Sequence, residues 1–133
     1  MSKYGDVAAL AVTLVRERQM SPPEAWAEAA VSIFPNSESS RAKGCPKGAF
    51  LGLAAAGLIN GLPAGEYGKS STGKNAQYAV VALELLKKNP QLANLGPDEL
   101  WLRSLERAGA DMEKRSNSQM DVVLRLYSLG ILG

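Results

Sequence analysis

Apolar residues recur every three or four positions along almost the whole chain, and no segment alternates apolar and polar residues as a half-buried strand does. Proline, asparagine, glycine and serine interrupt this pattern at short intervals, which is typical of a series of separate helices. With 133 residues, of which 46% are hydrophobic, the chain can bury a substantial core. We therefore predict an all-α fold in which residues 1–133 form one domain, a compact orthogonal bundle of six or seven helices.

Caps and breaks along the chain give the predicted helices. They are Val7–Arg18, a helix that opens with Ser21-Pro22-Pro23-Glu24, a short turn over Ser37–Lys43, Pro46–Ile59, Asn75–Lys88, a helix that begins at Pro97, and a last helix capped by Ser116-Asn117-Ser118 and terminated at Gly130. The segment 46–59 is the most apolar of these, and its glycines and alanines permit close approach by neighbouring helices, so we predict that it is central. The loop 62–74 is predicted to be the least structured part.

A basic, polar corner precedes this central helix. Between Ser37 and Tyr78 the chain has five lysines and arginines against two glutamates, a local net charge of +3, whereas the whole chain has a net charge of +2. The first amide N–H groups of a helix lack partners within the helix and carry partial positive charge, so a helix start can bind an anion. Uncharged hydrogen-bonding groups also occur at the start of the last helix, in Asn117-Ser118-Gln119.

We hypothesise that these two helix starts converge on one anion-binding pocket, although both can equally serve as ordinary helix caps. The candidate ligand-binding residues are Ser39, Ser40, Arg41, Lys43, Cys45, Lys47, Lys69, Lys74, Asn117, Ser118 and Gln119.

Cys45 and Ser40 are the candidate nucleophiles of an enzyme in this corner. Cations and a helix start favour the thiolate form of a cysteine, so Cys45 is interpreted either as a reactive thiol or as a small residue beside the helix cap. The chain has no histidine, which excludes a Cys-His pair and a Ser-His-Asp triad. Carboxylates are dispersed along the sequence, and we predict neither a metal site nor a cofactor.

Two further patterns point to nucleotides or nucleic acids. The stretch from Gly68 to Asn75 resembles the phosphate-binding loop G-x-x-x-x-G-K-[ST], but asparagine stands at the final hydroxyl position and no strand precedes it. The stretch from Ser37 to Leu58 resembles a helix-turn-helix with Gly44-Cys45 as the turn. Its second helix is too apolar for the major groove, so we predict that it is buried. Any nucleic-acid binding would then be weak and directed to the phosphate backbone.

The lone cysteine cannot form an internal disulfide, and no apolar window approaches the length of a membrane helix. These features, together with a charged N-terminal region that lacks the signal-peptide pattern, predict a cytoplasmic protein.

The segments Lys43–Leu53, Gly65-Glu66-Tyr67 and Asn117–Leu124 resemble a family of small bacterial proteins, a domain of unknown function. This resemblance implies a bacterial source and brings no activity with it.

The function that these observations favour is a non-catalytic binding or regulatory module, which recognises a protein partner or a small anionic ligand through the basic helix starts. Phosphate-backbone binding to nucleic acid is one alternative, and a small transferase or hydrolase that uses Cys45 or Ser40 is another. The oligomeric state is left open.

Overall fold

The computed structural model describes residues 2–133, and within this range the chain folds into seven α-helices, so the predicted all-α bundle is confirmed. The helices are α1 (Lys3–Arg18), α2 (Pro22–Ile33), α3 (Glu38–Arg41), α4 (Gly44–Ala55), α5 (Lys74–Lys88), α6 (Pro97–Ala108) and α7 (Gln119–Ser128). Short 3-10 turns at Lys69–Ser71 and Pro90–Leu95 precede α5 and α6.

Serine caps determine where the first three helices begin. Ser21 accepts a hydrogen bond from the Glu24 amide, as the sequence predicts, and Ser37 accepts one from the Ser40 amide. Ser2 caps α1 through the Tyr4 amide, so α1 begins at Lys3, four residues before the predicted start at Val7.

The central helix α4 begins two residues earlier and ends four residues earlier than the predicted segment 46–59. Gly44 and Cys45 belong to its first turn and do not form a separate turn before it. At its end, Gly57 adopts a left-handed conformation with φ 75°, the Leu58 amide bonds to the Leu53 carbonyl and the Gly57 amide bonds to the Ala54 carbonyl. This is a Schellman motif, and it terminates α4 inside an apolar run.

After this motif the chain is extended, and the segment 58–60 pairs with the C-terminal residues instead of continuing the helix. Ile59 forms an isolated antiparallel bridge with Leu132. The Asn60 amide donates to the Ile131 carbonyl at 2.8 Å, and the Gly133 amide donates to the Leu58 carbonyl at 2.9 Å. The buried Ile59 therefore contributes to the core from this bridge.

The buried apolar side chains form one continuous cluster around α4. Trp26 of α2 stacks against Phe50 of α4 with ring centroids 5.2 Å apart, and Tyr78 of α5 meets Trp101 of α6 edge to face at the same distance. Trp26, Tyr78 and Trp101 are buried, whereas Tyr127 is half-buried. The burial predicted for the central helix is confirmed, since its residues from Gly48 to Ala54 are all buried.

The helices α4 and α5 approach each other at small residues and begin at the same end of the bundle. A Cβ atom built on Gly48 would lie 3.0 Å from Asn75 Cβ, and one built on Gly52 would lie 2.5 Å from Ala76 Cα. Further along, Ala55 and Val80 line one cavity. Because both helices run in the same direction past this contact, their N-termini lie side by side.

No helix within residues 2–133 combines the length and the apolar character needed to cross a membrane.

Candidate functional site

Three helix starts converge at the end of the bundle where α4 and α5 begin. Gly48, one turn into α4, faces Asn75 in the first turn of α5. Asn75 in turn accepts a hydrogen bond from Gln119, the first residue of α7. We name this set the helix-start cluster and define it as Lys47, Gly48, Lys74, Asn75 and Gln119.

Gln119 is the buried centre of the cluster, with only 1% of its surface exposed. Its Nε2 donates to Asn75 Oδ1 at 3.0 Å, and its Oε1 accepts from the backbone amide of Asn117. The intervening residue Ser118 adopts φ 67°, a left-handed conformation that serine seldom takes. This bend lets the Gln119 side chain reach back to Asn117, so both polar ends of a buried amide are satisfied.

The converging helices also share the lack of a side-chain cap at their N-termini. The N-cap residues of α4, α5 and α7 are Lys43, Gly73 and Ser118, and no side-chain hydrogen bond caps any of these helices. In contrast, serines cap α1, α2 and α3. The first-turn amides of α4 and α5 therefore lack a capping side-chain acceptor, whereas those of Gln119 and Met120 at the start of α7 are buried.

Positive charge surrounds the cluster without paired carboxylates. Lys47 and Lys74 are its own members, and Lys69 lies in the 3-10 turn that packs on α4. Within residues 2–133 the ion pairs are Arg103–Glu99 and Arg125–Asp6, and neither involves these lysines. The first turns of α4 and α5 also contain no acidic residue, whereas the first turn of α7 contains Asp121. The local field therefore favours an anion.

Lys43 lies apart from this arrangement. It is the N-cap of α4, and its Nζ is 5.9 Å from the centre of the Tyr4 ring, within the range of a cation–π contact.

Arg41, Ser39 and Ser40, which the sequence predicts as ligand-binding residues, instead make structural contacts around α3. Arg41 Nη1 donates to the carbonyls of Phe34 at 2.9 Å and Pro35 at 3.0 Å, where it satisfies the end of α2. The Ser40 carbonyl accepts from the Tyr4 hydroxyl at 3.0 Å. Ser39 is exposed. None of these three residues belongs to the helix-start cluster.

Among residues 2–133, no general base is bonded to either candidate nucleophile. The Ser40 hydroxyl bonds to Ser37 Oγ at 2.7 Å, a hydroxyl that also accepts from the Ser40 amide. Cys45 is half-buried in the first turn of α4 and is the free cysteine of the chain. No group of three or more potential metal-ligating side chains occurs within residues 2–133.

The stretch from Gly68 to Asn75 does not form a phosphate-binding loop. The Ser71 hydroxyl donates to the Gly68 carbonyl at 2.7 Å and accepts from the Tyr67 amide, and Thr72 bonds to the Lys69 carbonyl. These hydroxyls stabilise the turn that precedes α5. The contribution of this stretch to the site comes from Lys74 and Asn75, at its end.

A separate cleft lies between α1, α6 and α7, and it contains the acidic residue of the first turn of α7. Asp121 lines this cleft together with Ser2, Asn94 and Arg125. Burial raises the pKa of Asp121 above its usual value, while hydrogen bonds from Ser2 and Ser118 act in the opposite direction. Arg125 bonds to Asp6 at 2.6 Å and is thus already neutralised.

Comparison with known families identifies one that matches the sequence. A family model described as a family of unknown function, DUF6979, matches residues 1–133. The chain belongs to this family. The family resemblance predicted from the sequence is therefore confirmed, and the family brings no assigned ligand, partner or reaction. No curated protein and no solved structure matches the chain.

Asn75 and Gly48 are the cluster residues that sequence reasoning missed. Asn75 was notable in the sequence only because it departs from the phosphate-loop pattern, and Gly48 only as a small residue of the central helix. Their partnership joins segments that are far apart in the chain, and Gln119 is 44 residues from Asn75. The local signal that could have indicated Asn75 is its position directly after Gly73-Lys74, at a helix start without a capping side chain.

Proposed function

We propose that this protein is a non-catalytic binding module that holds an oxyanion at the helix-start cluster, either the phosphate or carboxylate group of a small ligand or that of a partner protein. The observation that carries this proposal is the convergence of three uncapped helix starts, joined by the partly buried hydrogen bond between Gln119 and Asn75. We extend the proposal to the bacterial cytoplasm, since a lone cysteine suits a reducing compartment.

The physical basis is the excess of donors over acceptors. Each helix start presents unpaired N–H groups and about half a positive charge, and a single such interaction with an anion contributes about 0.3 to 1 kcal/mol at an exposed site. The starts of α4 and α5 lie side by side, and the ammonium groups of Lys47 and Lys74 add to them. Oxyanions accept several hydrogen bonds at once, so they match this arrangement.

The same composition supports binding without catalysis. The side chains of the cluster are two amides and two ammonium groups, which donate hydrogen bonds. General acid–base catalysis needs a group that takes a proton from the reacting atoms, most often a histidine or carboxylate. The cluster contains neither.

Calorimetric titration with inorganic phosphate and with sulfate, at constant ionic strength, tests the proposal. We expect the wild-type chain to bind both anions, and we expect the double variant Lys47→Gln/Lys74→Gln to bind them at least about tenfold more weakly, a loss of about 1.4 kcal/mol. The matched control is Lys87→Gln/Lys88→Gln, which removes the same charge from the last turn of α5. Its affinity should equal that of the wild type.

An equal loss of affinity in the two double variants would show that the anions respond to overall charge, and the proposal would be wrong. A duplex DNA oligonucleotide provides a further comparison. If it bound much more tightly than phosphate, with an affinity that fell steeply as salt increased, the cluster would be a contact for the nucleic-acid backbone instead.

A further inference from the structure

The amides of Gln119 and Asn75 form a hydrogen-bond chain whose direction is fixed at one end. A backbone N–H can only donate, so the Gln119 atom that meets the Asn117 amide must be the oxygen Oε1. The NH₂ group of Gln119 then faces Asn75 and donates to its Oδ1. Consequently Oδ1 of Asn75 is turned toward α7, and its NH₂ group is turned away from Gln119.

Burial makes this direction costly to reverse. If the Gln119 amide rotated by half a turn, its NH₂ group would oppose the Asn117 N–H, and two donors would lose their acceptors in a site that is 1% exposed. Each buried donor left without a partner costs about 1 to 3 kcal/mol. The orientation of Gln119 is therefore set by the backbone of the bend before α7, and Asn75 follows it.

The outward NH₂ group of Asn75 lies beside α4 and is open to solvent. Its Nδ2 atom is 3.7 Å from the position that a Cβ on Gly48 would occupy. Within residues 2–133, no acceptor bonds to Nδ2, and no side-chain nitrogen or oxygen is both buried and without a partner. The hydrogen-bond chain thus ends in an accessible donor between the starts of α4 and α5.

We infer that Gln119 is the positioning residue that makes Asn75 a hydrogen-bond donor in the helix-start cluster, and that it thereby sets the preference of the cluster for anions. The choice of ligand rests on the proposed function, whereas the orientation of Asn75 can be measured without any ligand. Gln119 itself is buried and acts only through Asn75.

A substitution of Gln119 that leaves its shape unchanged should invert this donor. In Gln119→Glu, at a pH where the new carboxyl group is ionised, one oxygen still accepts from the Asn117 amide, but the other cannot donate to Asn75 Oδ1. Asn75 must then rotate its amide, so that its NH₂ group bonds to the new carboxylate and its oxygen points outward. The cluster would present an acceptor where the wild type presents a donor.

Nuclear magnetic resonance of the full chain measures both parts of the inference. In the wild type, we expect the Asn75 NH₂ protons to exchange rapidly with water and to shift on titration with sulfate. In Gln119→Glu, we expect their exchange to slow and the sulfate affinity to fall at least about tenfold, the effect of losing roughly one hydrogen bond. The control Gln91→Glu makes the same substitution at an exposed residue and should change neither quantity.

A second variant keeps the test decisive if the buried carboxylate of Gln119→Glu prevents folding. Asn75→Asp retains an oxygen that accepts from Gln119 and replaces the outward donor directly by a carboxylate oxygen, so its sulfate binding should also fall by at least about tenfold. Wild-type affinity in Asn75→Asp, or slow water exchange of the Asn75 NH₂ group in the wild type, would overturn the inference. If the exchange rates behaved as expected but the wild type bound no sulfate, the positioning role would stand and the proposed function would be wrong.

Discussion

Replacement of Gly52 by alanine should destabilise the protein, although alanine is the better helix former. A new Cβ at this position would lie 2.5 Å from Ala76 Cα, whereas non-bonded carbon atoms prefer about 3.5 to 4.0 Å. The obstacle is backbone as well as side chain, so α4 and α5 would have to separate by roughly 1 Å. Overpacking of this kind costs about 1 to 3 kcal/mol, and contact with backbone favours the upper end.

The gain in helix propensity offsets only part of this cost. Alanine is favoured over glycine by about 1 kcal/mol inside a helix, which leaves a net loss of about 2 kcal/mol in the free energy of unfolding. For a chain of this size, that loss corresponds to a fall in Tm of about 6 to 10 °C.

Two other glycines of α4 provide matched controls for the same substitution. A Cβ on Gly48 would lie 3.0 Å from Asn75 Cβ, a tight contact with a side chain, and a Cβ on Gly44 would have no heavy atom within 4 Å. We expect Gly48→Ala to be close to neutral and Gly44→Ala to stabilise by up to about 1 kcal/mol. Urea denaturation followed by circular dichroism measures all three. If Gly52→Ala were as stable as Gly44→Ala, the close crossing of α4 and α5 would be wrong.

Three further variants test individual side chains. Asp121→Asn should alter the pH dependence of stability. Since the folded-state pKa of Asp121 is raised, its contribution to stability is present at low pH and is lost as pH rises through that pKa. Denaturation at several pH values should therefore show the wild type gaining stability relative to the variant as pH falls from about 7 toward about 4. Arg41→Met should lower the free energy of unfolding by about 1 kcal/mol, because two carbonyls at the end of α2 lose their donor, while calorimetry should show unchanged sulfate affinity. Cys45→Ser should leave both Tm and sulfate affinity nearly unchanged, because serine is close in size and Cys45 belongs to neither a catalytic pair nor the cluster; loss of binding without loss of folding would refute this.

Local signals in the sequence were sufficient for most of the fold. Ser21 and Ser37 cap their helices because a hydroxyl at that position can accept from an amide two or three residues ahead, which depends on neighbouring residues alone. The start of α4 was misplaced because Pro46 is common at the first helical position but is also tolerated at the third, where its missing N–H is not needed either.

At the end of α4, the sequence contains a helix-stop signal, but a competing apolar pattern outweighs it. Gly57 is a typical C-terminal glycine, yet the apolar run continues through Leu58 and Ile59 and favours a longer helix. The Schellman motif at Gly57 stops the helix, and the segment after it pairs with residues 131–133, which lie about 70 positions further along the chain.

The site was only half predictable for the same reason. Helix starts rich in polar residues could be recognised locally, and the anion pocket expected between the starts of α4 and α7 stays a prediction, although Asn75 contacts both helices. The sequence could not indicate that Arg41 would donate to carbonyls at the end of α2, or that Asn75 would contact both helix starts. Both facts depend on tertiary contacts that no local pattern encodes.

Sulfate titration of the wild-type chain, followed through its backbone amide resonances, tests the central claim most directly. If the helix-start cluster binds oxyanions, the shifts should be saturable and should concentrate in the first turns of α4 and α5, while the serine-capped starts of α1, α2 and α3 should stay unchanged. Shifts that fail to saturate and scatter over all exposed lysines, or saturable shifts confined to another part of the molecule, would contradict the account.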